Sequence, residues 1–279
     1  MLNTRTIDSS NQMLNIIQEP ELLPNGPSGE TFGQYTSCFP HFEGLHSKIY
    51  KSKVDDVTVR AVKITIPHLM TPPHDAYREA RLLREAHSSH VIPLVETFKL
   101  DEGRLVLVFP FLRYDFERLL RRDAVTAAQT RSILRDMFHA LTHIHKLGII
   151  HRDIKPSNIL TDSPDGPAYL ADFGISWKEG DAGSEPWDQK ITDVGTTCYR
   201  PPELLFGAKT YGTSLDLWAA GCVVAEAITV RHPPLFDSGP VGSDLSLIHS
   251  IFMKLGTPDE HSWPVSPRVR VKRCARECK

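Results

Sequence analysis

From about residue 35 the chain breaks into short runs rich in β-branched and aromatic side chains. KIYKSK (48–53), TVRAVKI (58–64), ETFKL (96–100) and RLVLVFPFL (104–112) read as strands. The intervening DEG (101–103) predicts that the last two form a hairpin. Between these runs, HDAYREARLLREAH follows a Pro-Pro pair and spaces Ala76, Ala80, Leu82, Leu83 and Ala86 as one face of a helix. The expected unit is a small antiparallel sheet carrying one helix.

The second half is patterned differently. SILRDMFHALTHIHKLG (132–148) sets Leu134, Met137, Phe138, Leu141 and Ile144 on one helical face and stops at Gly148. SLDLWAAGCVVAEAI (214–228) is apolar nearly all round and predicts a helix buried inside a lobe. Residues 1–34 mix Asn, Ser, Pro and Gly with small apolar patches and read as a flexible extension. No internal repeat is visible.

Composition narrows the class only slightly. With 279 residues, 41% apolar and 24% charged, the chain has enough material for a sizeable core. A formal charge of -2 gives no global reason for a nucleic-acid or membrane partner, and neither is expected. Five scattered cysteines and the lack of an apolar leader or spanning run point to a reducing cytoplasmic or nuclear compartment. Cys274 and Cys278 read as free thiols, because no second Cys/His pair stands near them to complete a zinc site.

The chemistry sits in IIHRDIKPSNIL (149–160), followed by ADFG (171–174), preceded by AVK (61–63) and trailed by YRPPE (199–203). Each piece alone is commonplace: His-Arg-Asp marks many surface turns, and a Lys after Ala-Val is usually an exposed strand residue. In this order and at this spacing they resemble the signature of eukaryotic protein kinases. The resemblance covers residues 35–264. It implies an α+β fold of two lobes, a β-rich N-lobe at 35–112 and a helical C-lobe at 113–264, the latter lacking its last helices.

By that resemblance, Asp153 accepts or orients the proton of a substrate hydroxyl, and Lys155 holds a cation against the migrating phosphoryl group. Thr196 matches a threonine that hydrogen-bonds both. Asn158 and Asp172 match the oxygen ligands of Mg2+. Lys63 corresponds to the lysine on the ATP phosphates and Glu79 to its partner. Ala61 and Leu160 would sandwich adenine, Phe109 falls at the gatekeeper position, Leu112 on the hinge with Phe111, and Asp115 at a ribose contact. Gly44, Ser47 and Ile49 belong to the loop over the nucleotide. Asp216 resembles a buried helix aspartate that anchors the catalytic-loop backbone. The reaction implied is transfer of the ATP γ-phosphate to Ser/Thr hydroxyls, since tyrosine kinases usually lack the Lys155 counterpart.

Within the kinases, YRPPELLFG and FMKLGTPDEHSWP resemble the cyclin-dependent branch of the CMGC group, which implies protein substrates with proline after the acceptor, shaped by Arg200, and raises a cyclin-like subunit as partner. Three departures stand out. Phe42, Gly44 and Ser47 occupy positions where the family has three glycines, so only the middle one remains. Gly195 replaces a usual valine. In the activation segment, Arg152 and Arg78 match two arginines that gather a phosphothreonine while Trp177 stands at the third; Thr192 is the nearest acceptor, and Asp193 is the candidate fixed charge. This combination is similar to fungal CDK-activating kinases, whose substrate is the activation loop of a CDK.

After LGTPDE the text runs only to VSPRVRVKRCARECK, so 265–279 is expected to be a basic disordered tail. Glu203 would then lack its arginine partner, a loss worth roughly 3–5 kcal/mol when a buried pair is broken, unless Arg268, Arg270, Arg273 or Arg276 substitutes. Two alternatives stand beside the active kinase: a catalytically weak nucleotide-binding scaffold and a truncated, non-functional product.

Overall fold

A computed structural model describes residues 29–44 and 46–259. Six strands form one antiparallel sheet in the order β1-β2-β3-β4-β6-β5: β1 (Glu30–Phe32), β2 (Tyr35–Glu43), β3 (Ser47–Lys53), β4 (Val59–Thr65), β5 (Glu96–Lys99) and β6 (Leu105–Pro110). Helix α1 (Ala76–Glu85) packs beneath it. The expected hairpin is present: β5 and β6 pair from Glu96↔Val108 to Lys99↔Leu105 around a 3₁₀ turn at Asp101–Gly103.

The sheet starts earlier than its sequence suggests. β1 lies within the stretch read as a flexible extension, and its Phe32 is buried with Tyr35, Cys38, Tyr50, Val62, Ile64, Val106 and Val108. These side chains cover the sheet face turned away from α1, which a four-stranded sheet would leave bare. Residues 1–28 and the basic 265–279 tail lie outside the described residues.

The second lobe is helical: α2 (Phe116–Arg121), α3 (Ala127–Lys146), α4 (Pro202–Leu205), α5 (Ser214–Ile228) and α6 (Asp244–Leu255). Short strands β7 (Tyr114–Asp115), β9 (Ile159–Thr161) and β10 (Ala168–Leu170) make a small sheet, and β8 (Ile149–Ile150) pairs with β11 (Trp177–Lys178). One apolar cluster runs from Leu82 and Leu83 of α1 through Phe173 into Met137 and Leu141 of α3 and Val223 of α5, so both lobes share a core. The α+β, two-lobed expectation holds.

Two helices differ from expectation in detail. Helix α3 begins at Ala127, set by a capping box in which Thr126 and Gln129 bond each other's backbone. Its buried face carries Ile133, Met137, Ala140, Leu141 and Ile144, while Phe138 is exposed. The face also includes Asp136, which accepts the Ala168 N–H and so draws that edge inward. Helix α5 is not enclosed all round, for Leu217 and Ile228 are exposed. Among the described residues no helix is long and apolar enough to cross a membrane.

Candidate active site

Strand alternation aims Lys63. Val62 and Ile64 are buried in the outer cluster, so Ala61 and Lys63 face the opposite side, toward α1 and the second lobe. On α1, Glu79 lies one turn from Ala76 and Leu83 on the buried face. Asp75 caps that helix by accepting the N–H groups of Tyr77 and Arg78, and its own N–H donates to the Gly174 carbonyl at 3.1 Å. The helix is thereby tied to the loop that carries Asp172.

Lys63 Nζ lies 2.7 and 3.0 Å from the two oxygens of Glu79 and 3.1 Å from Oδ1 of Asp172. Burial alone would lower the ammonium's pKa, but the two carboxylates outweigh it and hold the pKa above its ordinary value. The same Lys63 charge pulls Asp172 down to about 2. Burial pushes the Glu79 carboxyl the other way, above its ordinary value, against the pull of the Lys63 ammonium.

The loop after β8 is held from behind. Asp216 of α5 is fully buried and accepts the N–H groups of His151 at 2.8 Å and Arg152 at 2.9 Å, with His145 Nε2 at 2.8 Å. Three partners make a buried carboxylate tolerable. Arg152 (φ 72) and Asp172 (φ 64) both adopt the left-handed backbone that side chains disfavour, and both flank the cleft where such strain concentrates.

Ahead of that anchor the functional side chains meet. Asp153 Oδ1 accepts from the N–H (3.0 Å) and hydroxyl (2.9 Å) of Thr196. Its Oδ2 is 2.8 Å from Lys155 Nζ and 3.1 Å from Asn158 Nδ2. Lys155 also donates to Thr196 Oγ1 at 3.0 Å. Asn158 spends its amide N–H on the Asp153 carbonyl at 2.8 Å, leaving the amide oxygen available as a hard donor. The Ala171 N–H donates to the Asn158 carbonyl at 2.9 Å, which fastens this cluster to the one around Asp172.

Of the remaining predicted positions, Phe109, Leu112 and Leu160 pack against the apolar cluster that the lobes share. Ala61 pairs with Phe109 across β4 and β6, Ile49 with Lys63 across β3 and β4, and Asp115 with Leu160 across β7 and β9. Ala61, Ile49, Phe109, Leu112 and Leu160 are apolar yet only half-buried. Asp115 caps α2 by accepting the Arg118 N–H at 2.7 Å. Phe111, beside them, is covered by Lys51, whose Nζ is 4.5 Å from the ring centroid. Gly44 closes the β2–β3 turn by donating to the Ser47 carbonyl at 2.9 Å, and Phe42, 60% exposed, stands opposite Ile49 across β2 and β3.

Several contacts escape a reading of the sequence. His46, at the tip of the β2–β3 turn, packs on His74 ahead of α1 with ring centroids 4.2 Å apart. Burial pushes the His74 pKa down. Asp193, expected as the fixed charge facing the arginines, instead pairs with Arg200 at 2.7 Å and is largely exposed; Arg152 meets Glu185. A lone acidic residue in a Gly-Ser-Pro-rich loop carries no periodic signal to reveal this. Glu203 has no ion-pair partner among the described residues, and burial raises its pKa; the four candidate tail arginines lie outside them. His90, in the connection from α1 to β5, meets Asp136 and His139 of α3, and the Asp136 carboxylate is already engaged by the Ala168 N–H and the Arg135 guanidinium.

The two-lobed fold and the linked Lys63 and Asp153 clusters define a protein kinase, and a family profile described as protein kinase domain matches residues 43–272. The chain belongs to that family. It is 40% identical over 191 residues to cyclin-dependent kinase D-1 of Oryza sativa subsp. indica, covering 68% of this chain and 42% of the relative. It is 36% identical over 230 residues to cyclin-dependent kinase 7 of Xenopus laevis, covering 80% and 62%, and 37% identical over 197 residues to the serine/threonine-protein kinase csk1 of Schizosaccharomyces pombe, covering 69% and 63%. The chain thus spans about two fifths to three fifths of the length of these curated relatives. Among solved structures, the CAK complex of Chaetomium thermophilum bound to ATP-gamma-S contains a chain with TM-score 0.68 and 33% identity, 85% of this chain covering 71% of that one.

Proposed function

We propose that the chain transfers the γ-phosphate of ATP to serine or threonine hydroxyls of proteins. One observation carries this reading: Asp153, Lys155, Thr196 and Asn158 form a single hydrogen-bonded cluster fastened to the Lys63–Glu79–Asp172 cluster. None of these groups is displaced from the cleft, and nothing in the geometry favours the catalytically weak scaffold.

The donor set suits the implied cofactor. Asp172 is half-exposed with only Oδ1 committed to Lys63, and the Asn158 amide oxygen is uncommitted, so two hard oxygens stand available for Mg2+. Bound there, Mg2+ would neutralise charge on the nucleotide's phosphates. Lys63 is the fixed ammonium for the inner phosphates. Asp153 takes the hydroxyl proton, and Lys155, 2.8 Å from it, keeps a positive charge where negative charge grows during transfer. Ala61, Leu160, Phe109 and Leu112 supply the apolar walls for the adenine, Asp115 a ribose contact, and Gly44, Ser47 and Ile49 the cover.

Substrate selection turns on Arg200. Its Nε donates to the Gly195 carbonyl at 3.0 Å, so that oxygen is already occupied when a peptide lies beside Thr196. A residue after the acceptor would find its backbone N–H unpaired, and proline has none to leave unpaired. Likeness to the CAK complex and to csk1 supports a CDK activation loop as substrate, a cyclin-like subunit as partner and a cytoplasmic or nuclear site of action. The test is Mg-ATP-dependent phosphate transfer by the purified chain to Thr-Pro and Thr-Ala peptides and to an unphosphorylated CDK, with Asp153→Asn as the blank. Equal label with the wild type and the blank would refute the reading.

A further inference from the structure

The Arg152 guanidinium is fully buried, and two of its nitrogens grip both oxygens of Glu185 at 3.0 and 2.8 Å, a bidentate fork. Arg152 Nη1 also donates to the Tyr211 hydroxyl at 2.9 Å, and that hydroxyl donates to the Ile191 carbonyl at 2.6 Å. Glu185 is held at its other end too: the Trp177 indole N–H donates to its backbone carbonyl at 2.8 Å. The residue at the third arginine position therefore grips the same glutamate through its main chain.

Neighbouring contacts pin the rest of this loop. Arg78, 1% exposed, donates to the Gly183 carbonyl at 2.8 Å. Arg81 pairs with Asp181 at 2.7 Å and donates to the Ala182 carbonyl at 2.6 Å. Helix α1, which carries Glu79, and the loop carrying Asp153 are thus joined through residues 181–185.

We propose that Glu185 is a positioning residue whose fixed charge orders the activation segment, so that the kinase adopts its working arrangement with no phosphate on that segment. Two buried arginines side by side require a counter-charge, and the chain supplies one. A phosphate on Thr192 would have to displace a carboxylate already engaged on both oxygens. The order is passed on through the backbone: Arg152 precedes Asp153, and the Gly195 Cα lies against the Arg152 carbonyl, which seats Thr196 on Asp153. This inference rests on the function proposed above.

The experiment uses the full chain treated with a phosphatase, with Glu185→Gln, Glu185→Asp and Thr192→Ala beside it. Steady-state transfer to a Thr-Pro peptide and hydrogen exchange of residues 181–196 are both read. Phosphatase treatment and Thr192→Ala are expected to leave kcat and exchange unchanged. Glu185→Gln is expected to lower kcat about tenfold or more with little change in the KM for Mg-ATP, and to speed exchange of the segment, while Glu185→Asp restores most of both. Loss of activity on dephosphorylation or in Thr192→Ala, or wild-type kcat and exchange in Glu185→Gln, overturns the inference. If the untreated wild-type chain transfers no phosphate, the function proposal fails, and the exchange comparison alone decides whether Glu185 orders the segment.

Discussion

Gly195 sits so close to Arg152 that a Cβ added to it would lie 2.7 Å from the Arg152 carbonyl oxygen. Its φ of +74° is also one that side chains avoid. The glycine that departs from the family's usual valine is therefore what lets the activation segment lie flat on the catalytic loop. Gly195→Ala is expected to cost about 1–2 kcal/mol from the left-handed backbone alone, and thermal melting should show it as a drop of roughly 2–4 °C per kcal/mol. Activity should fall as well, because Thr196 moves with it.

If the proposed substrate selection holds, Arg200 sets which residue is accepted immediately after the phosphorylated one. Arg200→Ala frees the Gly195 carbonyl to accept a peptide N–H, so the preference for Thr-Pro over Thr-Ala peptides should shrink by about tenfold, the worth of one hydrogen bond at roughly 1.4 kcal/mol. The ratio of kcat/KM values for the two peptides measures it. An unchanged ratio would remove Arg200 from substrate selection.

Asp216→Asn places an amide donor among three groups of which two are backbone N–H donors. One of those donors is left unpaired in a fully buried site, at about 1.5–3 kcal/mol for a bond to a charged acceptor. Urea unfolding should register the loss. The transfer rate should fall with it, since the His151 and Arg152 backbone supports Asp153.

Lys63→Met removes the cation between Glu79 and Asp172. Transfer should drop by about 100-fold or more, as for loss of one preorganised charge in an active site. Glu79→Gln keeps a hydrogen-bond acceptor and should cost less. Comparing kcat with the KM for Mg-ATP in both variants separates positioning from binding.

Acid should loosen the activation segment. Burial alone would raise the Glu185 pKa, but the Arg152 fork outweighs it and holds the pKa below the ordinary 4.5. For a depressed carboxyl the linked stability is complete above the ordinary value and is lost as pH falls through the folded one, so the window opens below about pH 4.5. Limited proteolysis across pH 5 to pH 3 should show cleavage in 181–196 rising in the wild type, and a flatter profile in Glu185→Gln.

Much of this molecule is readable along the chain because the information is local. The strands and α1 follow from residue type and spacing, and the order Lys63, Asp153, Asn158, Asp172 names a chemistry by itself. Periodicity alone puts Phe138 on the wrong face of α3, because a periodic pattern cannot register that Asp136 is drawn inward by a backbone N–H from β10. β1 escapes the pattern because three residues, Glu30–Phe32, carry too little of it to count as a strand until β2 lies beside them.

By itself the amino-acid order determined the kind of protein, because the short motifs around Lys63, Asp153 and Asp172 each keep their pattern locally although they stand far apart along the chain. Only the tertiary structure decided which acid answers Arg152. Asp193 and Glu185 are both acidic and both lie in the same segment, and nothing in their neighbours distinguishes them. The path of the backbone, pinned by Arg78, Arg81 and Trp177, brings Glu185 to the buried guanidinium and leaves Asp193 to Arg200. Electrostatic pairing depends on distance in space, and across 33 residues that include β9, β10 and β11 that distance is set by the fold.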